Sequence, residues 1–395
     1  MKSVINLVNT AKKNGLYPDI PIVDNVPSDA SLVMGGVEYD NFASNNYLGL
    51  ANDPRVKQAV KNGIDKYGVG TCASRLAIGN TQAHVEFEKI ISDFLGVEDA
   101  IVTSSGYLTN VGTIPAIMDK PFVFDLFRKS KQRNNLILSD ERNHASIVDG
   151  VRLSGSEKII YKHNNINEVE QIFKKNINRR ILVVTDGVFS VDGDIARVDK
   201  LVKLKSKYNF LLMVDEAHSF GVLGKNGRGI AEHFSLPPNQ IDINMGTLSK
   251  ALGSVGGYIA GCKPLIDFLR GTASPFVLTA GPIAPALALG ATKAVEIIMH
   301  NPTIVKKLWE NIEYCKQGLS KAGVKYVSES QIIMIPIGDE LKLLSKVRSL
   351  KENKTLVSAM RWPATPWGKS RIRISIIALH SKSQIDRLIN KLISI

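Results

Sequence analysis

The chain has 395 residues, 44% of them hydrophobic, which is enough for one large domain and a smaller one, each with its own core. Fifty Lys and Arg against 37 Asp and Glu leave a net charge of +13. That excess is spread along the chain without interleaved aromatics or a recognised nucleic-acid motif, so no nucleic-acid partner is expected. No apolar run reaches the roughly 18 residues of a membrane span, and Met1 to Pro18, with Lys2, Lys12 and Lys13, lacks the apolar core of a signal peptide. A cytoplasmic location is therefore expected. It agrees with Cys72, Cys262 and Cys315, whose wide spacing suits reduced thiols and gives no metal or disulfide pattern.

Short apolar runs alternate with longer amphipathic stretches, the pattern of an α/β domain, and no internal repeat is visible. In chain order, Ala100 to Thr103 reads as a short strand. Ser104-Ser105-Gly106-Tyr107 follows it and leads into helix-compatible sequence. Free N–H groups at such a helix start can cradle a phosphate, though such turns often only cap a helix. The densest basic stretch, Arg128, Lys129, Lys131 and Arg133, is either a mouth for a phosphate-bearing substrate or a solvated face. Asn143-His144-Ala145-Ser146 offers an imidazole that either stacks on a cofactor or serves a structural role. Ile181 to Thr185, Phe210 to Val214 and Ile241 to Met245 read as strands. Between the first two, Val198, Leu201, Val202 and Leu204 recur at helical spacing within Val198 to Lys207, which makes a βαβ unit. Pro282 and Pro285 punctuate the chain before the helix-favouring Ala286 to Ala291, and an amphipathic helix, Gln384 to Ile393, closes it. These features divide the sequence into an N-terminal segment, 1–45, a large domain, 46–285, and a small C-terminal domain, 286–395.

The most informative segment is Gly246-Thr247-Leu248-Ser249-Lys250-Ala251-Leu252-Gly253, which follows a strand and leads into Gly256-Gly257-Tyr258. Small neighbours on both sides leave Lys250 the uncrowded backbone that a pyridoxal-phosphate (PLP) lysine needs, with Thr247 and Ser249 as hydroxyl donors to phosphate. A surface lysine in a flexible loop would give the same string. Upstream, Val214-Asp215-Glu216-Ala217-His218 ends an apolar strand, where a buried, unpaired Asp is costly to ionise and needs a cation. A protonated pyridine nitrogen is such a partner, and an Asp that caps the next segment is the plainer alternative. His218 suits the phenolic oxygen of the same ring. With Asp215 it would otherwise bind a metal, but no further ligand stands at convincing spacing and none is expected.

Together these segments resemble the α-oxoamine synthase family of fold-type I PLP enzymes, over roughly Asn41 to His380. The resemblance rests on Ser44-Asn45-Asn46-Tyr47-Leu48-Gly49-Leu50, Asp186-Gly187-Val188-Phe189-Ser190-Val191-Asp192-Gly193, the Asp215/His218 pair, Thr247 with Lys250, and Arg371-Ile372-Arg373-Ile374-Ser375 through His380, in the family's order. It implies a large domain with a mostly parallel sheet flanked by helices and a smaller α+β C-terminal domain. It also implies decarboxylative condensation of an amino acid with an acyl-CoA, giving an α-aminoketone, CoA and CO2. Lys250 would hold PLP as a Schiff base and later move the α-proton, Asp215 would face the ring nitrogen, and His144 would stack on the ring. His218 and Ser190 would face its phenolic edge, and Gly106, Tyr107 and Thr247 would hold the phosphate. Arg373, whose planar fork matches a carboxylate, would grip the substrate with Asn45. The family's sites form between two subunits, so a homodimer with shared active sites is implied, with Thr279 reaching the neighbour's phosphate.

Two features depart from the family pattern. Thr279 is followed by Ala280-Gly281-Pro282-Ile283 where a second hydroxyl is frequent, and Phe122 to Asn135 looks inserted. The insertion carries Phe122, Phe124 and Phe127 and would either shape the acyl-CoA entry or be a structural excursion. For substrates, Asn45 to Asn52 is similar to the glycine acetyltransferase branch, while Ser328 to Ile333 and Gly338-Asp339-Glu340 are similar to autoinducer synthases that use acyl-CoA. A fatty acyl-CoA is the first expectation, with acetyl-CoA plus glycine or pimeloyl-CoA plus alanine close behind. An ordinary aminotransferase would share Lys250 and Asp215, and a non-catalytic partner subunit would have no need of Lys250.

Overall fold

A computed structural model describes residues 1–17, 20–118, 134–279 and 281–395. Its strands are β1 (Ser31–Met34), β2 (Val37–Asn41), β3 (Asp99–Thr103), β4 (Asn135–Asp140), β5 (Glu157–Tyr161), β6 (Arg180–Asp186), β7 (Leu211–Asp215), β8 (Ile243–Thr247), β9 (Gly257–Gly261), β10 (Ile332–Gly338), β11 (Thr355–Leu356), β12 (Ser358–Met360) and β13 (Ser370–Ser375). The basic stretch Arg128 to Arg133, most of the inserted segment and Ala280 lie outside the described residues, and Asn135 of that segment opens β4.

Seven strands form the central sheet in the order β3-β9-β8-β7-β6-β4-β5. β8, β7, β6, β4 and β5 run parallel, and β9 lies antiparallel between β8 and β3. The inner strands read as continuous apolar runs because both faces of a parallel sheet are covered. Alternate residues of β6 show it: Ile181 and Val183 join a core that includes Phe87, Ile91 and Phe94 of the helix Gln82–Leu95. Leu182 and Val184 join a separate core with Ile114 and Ile117 of the helix Gly106–Ile117 and with Ile147 and Val151 of the helix Ala145–Ser154. Such a two-faced sheet leaves its polar ligands to the strand ends.

Two smaller sheets lie outside this one. β10, β13 and β12 pair antiparallel in the order β10-β13-β12, and the hairpin β1-β2 is extended by β11. The helix Pro285–His300 packs on the helices Pro54–Tyr67 and Gln82–Leu95. The approach to the first is close enough to need glycine, since a Cβ on Gly63 would stand 2.6 Å from the Ala286 backbone. The closing helix, Lys382–Ile393, starts at a Ser381/Gln384 capping box and packs on the helix Thr303–Lys321. No helix among the described residues is long and apolar enough to cross a membrane.

Candidate active site

The carboxyl ends of the adjacent parallel strands β4, β6, β7 and β8 deliver Asp140, Asp186, Asp215 and Thr247 to one edge of the sheet. Asp186 and Asp215 stand side by side in the register. Burial, and then the charge of Asp215, push the Asp186 carboxyl well above the usual carboxylate range, so one of this pair favours its neutral form. Asp215 is itself buried and accepts from Asn110 Nδ2 at 2.8 Å and from the Ala217 N–H at 2.9 Å. No cation lies within ion-pair distance of it among the described residues.

Lys250 follows β8, and its Nζ has neither a hydrogen bond nor an ion pair among the described residues. Burial lowers its pKa to about 8, Arg373 adds to the fall, and Asp215 and Asp186 oppose it. An amine in that range is partly neutral near neutral pH, as a nucleophile or base requires. Thr247 Oγ1 lies 2.9 Å from Ser249 Oγ and donates to the Gly256 carbonyl at 3.0 Å.

Across the sheet edge, Ser105 caps the helix Gly106–Ile117 by accepting from the Leu108 N–H at 3.1 Å. The backbone N–H groups of Gly106 and Tyr107 are left without partners among the described residues. A Cβ on Gly106 would come within 3.1 Å of Thr247 Oγ1, so the glycine keeps open the space where those donors and the Thr247 hydroxyl converge. The Tyr107 side chain points elsewhere, donating to Asp149 Oδ2 at 2.6 Å.

His144 is the N-cap of the helix Ala145–Ser154, with Nδ1 2.7 Å from Ser146 Oγ and its backbone N–H donating to Asp186 at 2.9 Å. Burial lowers its pKa, Asp215 opposes this and Lys250 reinforces it. His218 is held well below the ordinary value by burial and then by Lys250, Arg373 and His144. Both imidazoles are therefore neutral at neutral pH.

Arg373, on β13, donates from Nε to the Ser190 carbonyl at 2.9 Å and from one terminal nitrogen to Asn45 Oδ1 at 3.1 Å. The sequence-predicted residues Asn45, His144, Ser190, Asp215, His218, Lys250 and Arg373 are thus linked by direct contact or mutual electrostatics. Thr279 stands apart on the surface, its hydroxyl donating to the Pro275 carbonyl at 3.3 Å.

A family model for class I and II aminotransferases matches residues 38–392. The chain is 41% identical, over 97% of its length and 93% of the relative's, to an 8-amino-7-oxononanoate synthase of Treponema denticola. Serine palmitoyltransferase from S. paucimobilis, which carries a bound PLP–myriocin aldimine, superposes with a TM-score of 0.90 at 29% identity, covering 99% of this chain and 96% of that one. An 8-amino-7-oxononanoate synthase from Francisella tularensis gives a TM-score of 0.72 at 28% identity, covering 90% of this chain and 96% of its own. The chain belongs to the α-oxoamine synthases.

The synthase is a PLP-dependent acyltransferase that condenses an amino acid with an acyl thioester and releases CO2. Its residues fit that cofactor. Asp215, a buried carboxylate without a cation among the described residues, suits a protonated ring nitrogen, and the Gly106 and Tyr107 N–H groups, free among the same residues at a helix start beside a hydroxyl, suit a phosphate.

Three residues of the synthase's cluster escaped the sequence reading. Tyr47 is fully buried, with its hydroxyl 2.6 Å from His218 Nδ1 and 3.1 Å from Asn45 Oδ1. Asn110 bridges Asp215 and Ser146 with its amide nitrogen. Gln331 donates to the His218 carbonyl at 2.9 Å. Asn110 carried a faint signal: it stands one helical turn after Gly106, on the stretch already read as helix.

Proposed function

We propose that this synthase condenses alanine with a pimeloyl thioester to form 8-amino-7-oxononanoate. The observation that carries the assignment is the 41% identity, across nearly the whole chain, to the Treponema denticola relative of that name. A fatty acyl-CoA, the first expectation from sequence, is the second reading, and the TM-score of 0.90 to serine palmitoyltransferase favours it.

When bound, PLP supplies an aldehyde for Schiff-base formation and a ring that draws off the electron pair left at the amino acid's α-carbon. Asp215, its carboxylate fixed by Asn110 and the Ala217 N–H, would keep the ring nitrogen protonated. Gly106, Tyr107 and Thr247 would hold the phosphate. His144 would stack on the ring, and His218 and Ser190 would face its phenolic edge. Arg373 and Asn45 take the substrate carboxylate, with the Arg373 guanidinium already oriented by Ser190 and Asn45. Lys250 Nζ, its pKa held near 8, accepts the α-proton.

The second subunit of a homodimer would bring Thr279 to this site. Support comes from the exposure of Thr279 and of the apolar Leu76, Ile78 and Leu278 near it, where the helix Ser274–Val277 packs on residues 75–79. A cytoplasmic location suits three free thiols, and 46–285 and 286–395 remain our proposed domain division.

The test is amino-acid-dependent thiol release, crossing alanine, glycine, serine and 2-aminobutyrate with acetyl-, pimeloyl-, decanoyl- and palmitoyl-CoA. Release with alanine and pimeloyl-CoA above all other pairs is expected. Preference for palmitoyl- or decanoyl-CoA would replace the proposal by the second reading.

A further inference from the structure

His163 lies on none of the site's own elements. It follows β5, yet both of its ring nitrogens are spoken for. Nδ1 is 2.9 Å from Asp140 Oδ1 and Nε2 is 2.6 Å from Asp194 Oδ2. A neutral imidazole has one N–H, so it would turn a lone pair toward one of these carboxylates, and only the imidazolium donates to both. The ring is largely buried and stands edge-on to Phe189 at 4.4 Å and 84°. Burial alone would lower its pKa, but the hydrogen bonds and charges of Asp140 and Asp194 override burial and raise it to about 9.

The two carboxylates belong to different walls of the site. Asp140 ends β4, and its Oδ1 also accepts from the Arg142 N–H at 2.9 Å, at the start of the short loop that delivers Asn143 and His144. Asp194 belongs to the turn that β6 feeds, closed by a bridge between Val188 and Ile195 and by the Phe189 N–H donating to the Asp194 carbonyl at 3.0 Å. That turn carries Ser190, whose carbonyl orients Arg373. The neighbouring Asn164 repeats the link, donating from its backbone N–H to Asp140 at 2.9 Å and from its side chain to Asp194 at 3.1 Å.

We infer that His163 is a positioning residue: as an imidazolium it ties the His144 loop to the Ser190 turn and so sets the spacing between the cofactor wall and the substrate-carboxylate wall. The inference rests on the reading of His144, Ser190 and Arg373 as site residues. Other charged groups around the ring pair among themselves. Glu141, which accepts from the His163 N–H at 3.2 Å, binds Lys162 at 3.2 Å. Arg142 and Arg371 both bind Asp192, on the same turn as Asp194. Tyr161, near Asp140, is held in its neutral form by burial and by that carboxylate. Among the described residues, Asp140 and Asp194 are thus left to share His163 between them.

The test begins with the PLP-loaded protein labelled in its imidazole nitrogens, with His163 assigned by its loss in His163→Gln. Both ring nitrogens are expected to carry protons one unit below the midpoint of about 9, and a neutral ring there would overturn the inference. In His163→Gln, the KM for the amino acid and the dissociation constant for PLP are each expected to rise on the order of tenfold, with kcat at saturation within about threefold. A role in stability alone would lower Tm and leave both constants unchanged, and that result in the folded variant overturns the inference. Asp194→Asn loosens only the Ser190 turn, so it is expected to raise the KM for the amino acid by a larger factor than the dissociation constant for PLP, whose ring nitrogen and phosphate are held from other elements. It carries the test if His163→Gln does not fold, and an unchanged KM counts against the inference. Wild-type protein that bound no PLP would overturn the site reading and the positioning role together. Normal loading of the wild type with unchanged constants in the variants overturns the positioning role alone.

Discussion

Two histidine environments at the same edge of the sheet reach opposite outcomes. Around His144 and His218 burial wins: the charge of Lys250 reinforces it at both rings and that of Arg373 at His218, while Asp215 opposes it at His144. At His163 burial acts in the same direction, yet two directly bonded carboxylates leave the ring cationic to about pH 9. Burial sets a cost for charge, and the sign of the directly bonded groups decides whether that cost is met. The edge of the sheet where we propose the cofactor binds thus presents neutral imidazoles that can lie against a ring or share a proton, whereas the turn behind it holds a fixed cation.

The largest expected effect comes from removing the cation that depresses the first pair. Lys250→Ala should cost on the order of 10⁴-fold or more in kcat, measured as thiol release, since nucleophile and base are lost together. The His144 pKa should rise at the same time, because Lys250 contributes to its depression, and an NMR titration that finds it unmoved would break the comparison. Asp215→Asn should cost on the order of 10² to 10³-fold in kcat and lower the Lys250 pKa further below about 8, since Asp215 supports that charge. Arg373→Lys keeps the charge but loses the planar fork, so the amino-acid KM should rise on the order of tenfold with little change in kcat.

A smaller effect sharpens the contrast through stability. The folded pKa of His163, about 9, lies above that of an unfolded histidine. Its contribution is therefore fully present below about pH 6.5 and is lost as pH rises through about 9. Allowing for solvent screening, about 2 kcal/mol is at stake, and it should appear as a fall in urea midpoint over that window that His163→Gln abolishes. His380 is the control of opposite sign. Burial lowers its pKa to about 4, so it destabilises the fold only as pH falls from about 6.5 through 4.

Much of this site is legible in the sequence because its parts are local. Asp215 with His218 and Thr247 with Lys250 each sit within one strand end and the turn after it, where an apolar run meeting a polar residue marks the sheet's edge. The β8 run was expected two residues early, at Ile241 to Met245. The backbone at Asp242 still bonds the Leu212 carbonyl, but its side chain turns aside to accept from the Leu212 N–H and from Lys205, and regular pairing begins at Ile243. Tyr47, Gln331 and His163 were not legible because their partners lie far along the chain, at His218 for the first two and at Asp140 and Asp194 for the third. A tyrosine such as Tyr47, between Asn46 and Leu48, looks like core until the fold brings an imidazole to its hydroxyl.

Between the two histidine environments stands Asp186, the middle member of the row Asp140, Asp186, Asp215 on adjacent strands. Because burial and the charge of Asp215 favour its neutral form, Asp186 serves the row as a mechanical link, accepting the His144 backbone N–H at 2.9 Å. Changes at His163 should therefore reach the His144 loop as changes of shape. For protein engineering, the walls of this site can be moved from behind, and because Arg373 rides on the Ser190 turn and lowers the Lys250 pKa, such a move also retunes the lysine at its centre.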